Sequence, residues 1–216
     1  MKVQLSSDRR DLVPVGDPPD AGRRLPQQRR SRAKVDAVLD AAEQLLAEAP
    51  LEAVTTTAVA LRAGIAVGTL YQYFEGMPTV IDALVARHTE AFGAHLEGAL
   101  RGRHLARKRD AANAALDALI DYYRAHPAFR ALWRGAPGVM RVGMHDGTDF
   151  FLGIIADAIF ERGLVEPSEA FTREVRVQLA VTSSLLQVAF ELDPEGDPTV
   201  IEHLRKLFAL DIVPVD

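Results

Sequence analysis

The run from Val54 to Phe74 leaves this chain the least conformational freedom. It reads Val-Thr-Thr-Thr-Ala-Val-Ala-Leu-Arg-Ala-Gly-Ile-Ala-Val-Gly-Thr-Leu-Tyr-Gln-Tyr-Phe. Thr55 stands just ahead of a short apolar-periodic run, where its hydroxyl can accept a hydrogen bond from an orphan backbone N–H as an N-cap. Val59, Ala60 and Ala63 follow at helical spacing, and the small alanines allow a second helix to approach closely. Gly64 then occupies the position where a left-handed residue commonly ends a helix. Ile65 places an apolar group in the turn, and a second helix fits Val67 to Tyr73 with Leu70 facing back into the pair. A helix, a short glycine-containing turn and a second helix make the helix-turn-helix pattern.

The same residues resemble the DNA-binding core of the tetracycline-repressor (TetR) family, which reads roughly T-T-x-x-I-A-x-x-A-G-V-S-x-G-T-L-Y-x-Y-F-x-x-K-x-x-L. Thr55, Thr56, Val59, Ala60, Ala63, Gly64, Ile65, Gly68, Thr69, Leu70, Tyr71, Tyr73, Phe74 and Val80 stand at matching positions. The resemblance covers residues 33 to 86. It departs twice: Ala66 replaces the serine that caps the recognition helix, and Met77 replaces a phosphate-binding lysine. A lost phosphate contact lowers affinity and its salt dependence more than specificity.

The resemblance implies a division of labour. Val67, Gly68, Thr69 and Gln72, at the start and exposed face of the recognition helix, are expected to reach base edges in the major groove. Thr57 projects from the preceding helix toward an edge base. Thr55, Thr56, Tyr71 and Tyr73 belong to the same surface, with the hydroxyls of Thr56, Tyr71 and Tyr73 directed at phosphates. The alternative for both tyrosines is that they only pack the head.

Upstream, residues 1–30 read as a basic tail that is mostly disordered. Asp17-Pro18-Pro19-Asp20-Ala21-Gly22 suits neither a helix nor a sheet interior, and Arg9, Arg10, Arg23, Arg24, Arg29, Arg30, Arg32 and Lys34 make the segment basic. Either it is solvated, or it lies along the phosphate backbone or minor groove as homeodomain arms do. Arg29, Arg30, Arg32 and Lys34 are the better candidates for such contacts. A first helix is expected from about Ala33 to Ala49, with Val38, Leu39, Ala42, Leu45 and Leu46 on its apolar stripe and Pro50 ending it.

Downstream, Pro78 suits the first turn of a long helix. Its stripe runs through Ile81, Leu84, Val85, His88, Phe92, Leu96 and Leu100. His88 reads as a core or interface histidine rather than a metal ligand, since no carboxylate–histidine cluster accompanies it in sequence. Gly102 to Arg109 is a basic connection. Further helical stripes follow around Leu116 to Tyr123, Phe129 to Trp133, Phe151 to Ile159 and Phe171 to Phe190, with Val177, Val181 and Leu185 beside the last of these. Asp197 with Pro198 can cap a final helix carrying Leu204 and Phe208. Strand-like alternation and internal repeats are both lacking.

The expected fold is therefore all-α. An N-terminal three-helix helix-turn-helix head (31–77) is joined by a long helix to a C-terminal helical body for ligand binding and dimerisation (78–216). There is no cysteine, which excludes disulfides and cysteine-based zinc sites. No G-x-S-x-G, P-loop, H-E-x-x-H or G-x-G-x-x-G motif occurs, so no catalytic residue, cofactor or metal ligand is assigned. The net charge of −5 argues only weakly against DNA binding, because a local patch decides that question. No apolar run approaches the about 18 residues of a membrane span. No apolar N-terminal core reads as a signal peptide, and the expected compartment is the cytoplasm.

Phe92, Tyr122, Phe129, Trp133 and Phe151 are the candidate ligand contacts. They are either ordinary core or the lining of a pocket between helices, which the resemblance implies. Leu179, Leu186, Phe190, Leu204 and Phe208 are the candidate dimer contacts, unless their stripes serve the core of one chain. The expected function is a ligand-responsive repressor, not an enzyme, that binds a palindromic double-stranded operator as a homodimer and answers to a small apolar or aromatic effector. Two alternatives remain: an all-α carrier or enzyme with a vestigial head, and a non-specific DNA-coating protein.

Overall fold

The structure is a computed structural model. It describes residues 21–135 and 151–209, with side chains described over 29–132 and 151–207. All regular structure among these residues is helical. The elements in order are α1 (Ala21–Glu48), a single 3-10 turn (Leu51–Ala53), α2 (Thr56–Arg62), α3 (Val67–Leu70), α4 (Met77–Arg101), α5 (Lys108–Ala125) and α6 (Pro127–Gly135). They continue with α7 (151–160), α8 (Glu169–Leu192) and α9 (Pro198–Ala209). Contacts divide the chain into two compact units, residues 1–36 and 37–216.

In the first unit, α1 begins at Ala21 rather than near Ala33, so residues 21–30 of the expected tail are helical. The physical reason is cooperativity: once a helix has nucleated, each added non-proline residue brings one more backbone hydrogen bond, and the Arg, Leu and Gln residues on either side of Pro26 are good helix formers. Arg29, Arg30, Arg32 and Lys34 are all solvent-exposed on it. The Asp17–Asp20 stretch lies outside the described residues.

In the second unit, the local signals act as their chemistry dictates. Thr55 caps α2 by accepting from the Ala58 N–H at 3.2 Å. Gly64 ends that helix at φ +67°, in the left-handed region that a side chain disfavours. Ala66 supplies no side-chain cap to α3. The recognition helix is regular over only four residues, and the chain then tightens through Tyr73, with Gln72 N–H donating to Thr69 O and Tyr73 N–H to Leu70 O. Pro78 sits in the first turn of α4, Ser168 caps α8, and Asp197 caps α9 by accepting from the Thr199 and Val200 N–H groups, each at 2.9 Å.

The interior follows the apolar stripes. Val38, Leu39, Ala42, Leu46, Val59, Ala60, Leu70, Phe74 and Val80 are buried around the helix-turn-helix. A second cluster joins the later turns of α4 (Phe92, Leu96, Leu100) to α5, α6, α7, α8 and α9. Polar groups tie the connections down: Arg124 donates to Glu195 O at 2.9 Å and Arg130 to Pro194 O at 2.7 Å, fixing the α8–α9 corner to α5 and α6. Asp117 on α5 accepts from Arg103 at 2.6 Å and also from Arg205 on α9.

Candidate functional site

The turn between α2 and α3 presents a polar, exposed face. Thr57, Gly68, Tyr71 and Gln72 are exposed, while Thr56, Val67, Thr69 and Tyr73 are half-buried. Beneath them Val59, Ala60 and Leu70 are buried and lock the two helices together. The hydroxyls of Thr56 and Tyr71 lie 3.3 Å apart, so α2 and α3 offer two neighbouring hydroxyls from two elements. The hydroxyl of Thr55 is engaged in capping α2. Lys34 lies in the other unit and is exposed there.

One contact at this face escaped sequence reasoning. Arg62, in the last turn of α2, sets two nitrogens against the Glu48 carboxylate of α1 at 2.9 and 2.8 Å. Such a bidentate pair fixes direction as well as distance. It holds the Glu48 carboxyl below its ordinary range. No periodicity announces a partner 14 residues away across a turn.

Behind the head, α4 flanks a cavity of about 90 Å³. Phe92 and Leu96 of α4, Leu116 and Leu119 of α5, Phe129 of α6, Phe151, Ile155 and Ile159 of α7 and Phe171 and Val175 of α8 form its apolar walls. Of the five expected ligand contacts, Phe92, Phe129 and Phe151 line it. Tyr122 does not, because its hydroxyl turns toward His88 Nδ1 at 2.9 Å. The Trp133 side chain lies outside the described residues. Burial, with the Glu43 carboxylate nearby, pushes the Tyr122 hydroxyl up to about 12, so it keeps its proton.

The cavity also has a polar end that sequence analysis did not assign. Glu174 is 3% exposed, and its Oε1 accepts from Lys108 Nζ at 3.4 Å and Gln178 Nε2 at 3.3 Å. Its Oε2 is buried with no hydrogen-bond partner. Glu174 and Lys108 are 66 residues apart, so only the packing of α5 on α8 brings them together.

Burial separates the expected dimer contacts. Leu186 is 0% exposed within its own chain, and Phe190 and Leu204 are also buried there. Within one chain these side chains pack into its interior. Leu179 is half-buried and lines the cavity. The Phe208 side chain lies outside the described residues. The opposite face of α8 is the apolar one left open: Val177, Val181, Val188 and Leu192 are 38% to 66% exposed.

A family model described as bacterial regulatory proteins of the tetR family matches residues 38–84. A second, described as a tetracycline repressor-like C-terminal domain, matches residues 106–213, half of the chain. The chain belongs to the TetR family. It is a DNA-binding transcriptional regulator. Among solved structures it is similar to a TetR-family transcriptional regulator from Streptomyces coelicolor, with 26% identity over 81% of this chain and 95% of that one and a TM-score of 0.69. It shares its fold with a TetR transcriptional regulator from Rhodococcus sp. RHA1, at 23% identity, 87% and 100% coverage and a TM-score of 0.63. The fatty acid degradation regulator FadR from Bacillus halodurans has the same fold, at 16% identity, 83% and 96% coverage and a TM-score of 0.66. No curated protein matches. TetR-family regulators bind operator DNA as homodimers and take small-molecule effectors, and no helix among the described residues is long and apolar enough to cross a membrane.

Proposed function

We propose that this regulator is a repressor that holds a palindromic operator as a homodimer in the cytoplasm and releases it when a small molecule fills the cavity behind α4. The observation that carries this reading is the path of α4. Its first turn follows Phe74 of the reading head, and its Phe92 and Leu96 line the cavity, about 21 Å further along the axis at 1.5 Å per residue. A ligand that repacks Phe92 displaces a rigid lever whose other end carries the head. Residues 31–77 act as the reading part and residues 78–216 as the sensing part.

Val67, Gly68, Thr69 and Gln72 read base edges, Thr57 reaches the edge of the site, and Thr56, Tyr71 and Tyr73 hold phosphates. Lys34 adds a backbone contact. One such head covers few base pairs, so two heads about 34–36 Å apart are needed for a useful specificity ratio. The exposed face of α8 supports pairing of two copies through Val177, Val181, Val188 and Leu192. The effector has an apolar or aromatic body and, at the end facing Glu174, a group that donates a hydrogen bond to Oε2. The protein acts by binding and not by catalysis.

The test is a titration of the single tryptophan's fluorescence with aromatic and straight-chain amines, with and without operator duplex. An inducer binds the DNA-loaded protein more weakly, by the same factor by which it weakens operator binding. Equal affinity in both states for every compound that fills the cavity would overturn the repressor-release reading.

A further inference from the structure

Three side chains far apart in sequence converge beside α4: Glu43 from α1, His88 from α4 and His126 from the corner between α5 and α6. Their ligand atoms all lie within 4.8 Å of one another. Glu43 Oε1 is 3.7 Å from His88 Nε2 and 3.8 Å from His126 Nδ1. His88 is 3% exposed, and its Nε2 is buried with no hydrogen-bond partner.

Tyr122 Oη lies 2.9 Å from His88 Nδ1 and 3.5 Å from the His88 carbonyl oxygen. The ring has two neutral tautomers; in the one that donates Nδ1–H to the Tyr122 oxygen, Tyr122 can donate to the carbonyl. In that tautomer the Nε2 lone pair faces the Glu43 carboxylate and can take a metal ion. Meanwhile Arg87 holds Glu43 through the other oxygen, Oε2, and Asp40 at 2.6 Å. Oε1 is left facing the two imidazoles.

We propose that Glu43, His88 and His126 form a binding site for a divalent transition-metal ion of the zinc class. Two imidazoles and a carboxylate suit zinc, cobalt or nickel and disfavour magnesium and calcium, which take oxygen ligands. Zinc bonds of about 2.0–2.2 Å set tetrahedral ligand atoms about 3.4 Å apart, so the two Glu43–histidine separations of 3.7 and 3.8 Å lie close to what zinc requires. Tyr122 and Arg87 are the outer partners that orient a ligating histidine and carboxylate. The side chain of His126 is 36% exposed, which gives an ion and a fourth, water ligand a way in. The bound ion joins α1, α4 and the α5–α6 corner.

The experiment uses full-length, tag-free protein stripped with chelator. Calorimetric titration with Zn²⁺ is expected to give one ion per chain, and Co²⁺ is expected to produce visible ligand-field absorption. His126→Ala, at a half-exposed position, and Glu43→Gln are each expected to lower affinity by at least about tenfold and remove the Co²⁺ bands, with unchanged helical circular dichroism. His104→Ala and His203→Ala, both exposed and outside the cluster, are expected to leave binding intact. Zn²⁺ should raise the melting temperature of the unmodified protein and not that of His126→Ala. Absence of stoichiometric binding, or binding that survives both His126→Ala and Glu43→Gln, overturns the proposal.

Discussion

The hydroxyls of Thr56 and Tyr71 lie 3.3 Å apart, across the turn between α2 and α3. Neither residue is enclosed, so the pair is a surface feature that joins the two helices of the reading head at the face expected to meet a phosphate. The neighbouring Gln72 is exposed and makes no such bridge.

That difference separates two substitutions. Tyr71→Phe should weaken binding to cognate and scrambled duplexes alike and reduce the salt dependence, because a phosphate contact carries no sequence information. Gln72→Ala should relax preference at one base step, at a cost of about 1–3 kcal/mol for the cognate site. Fluorescence anisotropy against a single-step operator library at two salt concentrations reads both effects. If the two variants exchange behaviours, the roles assigned to these residues are wrong.

On α8 two faces should respond differently. Val181→Asp and Val188→Asp, on the open face, should leave the fold intact and shift the protein to monomers at micromolar concentration, read by sedimentation. Leu186→Ala, on the enclosed face, should instead lower stability by about 2–5 kcal/mol, read by denaturant unfolding. A dimer that withstands both aspartates would place the interface elsewhere.

Gly196 should not tolerate a side chain. Its φ is +87°, and a Cβ there would lie 3.0 Å from Ile201 Cδ1 and 3.1 Å from Phe190 Cζ. Gly196→Ala adds backbone strain to a tight contact at the α8–α9 corner, and should destabilise by more than about 1 kcal/mol. Thermal melting of the variant checks this.

Asp117 gives a signed dependence on pH. Burial alone would raise its carboxyl; hydrogen bonds from Arg103 and Arg205 outweigh that and hold it below the ordinary value. A carboxyl depressed in the folded state contributes stability that is fully present above its unfolded value, near about 3.9, and is lost as pH falls through the folded value. Asp117→Asn should therefore cost stability at pH 7, and its deficit should shrink below about pH 4. Urea unfolding at several pH values measures it. Because the three partners are partly exposed, added salt should also reduce the deficit.

How much was legible in the sequence depended on the range of the interaction. The Thr55 cap, the Gly64 turn, Pro78 in the first turn of α4 and the Asp197 cap all rest on backbone chemistry within a few residues, and each could be read from the chain alone. The all-α class and the family followed from helical periodicity and one local motif. Tertiary structure alone decided which stripe of α8 is enclosed, because Leu186 and Val188 are equally apolar in sequence and differ only in what packs over them. It alone brought Glu174 to Lys108, and Glu43 and His126 to His88, since those pairs meet through helix packing between distant segments. Local propensity records what a residue does to its own backbone; which side chains share a buried space is settled only when the helices close around it.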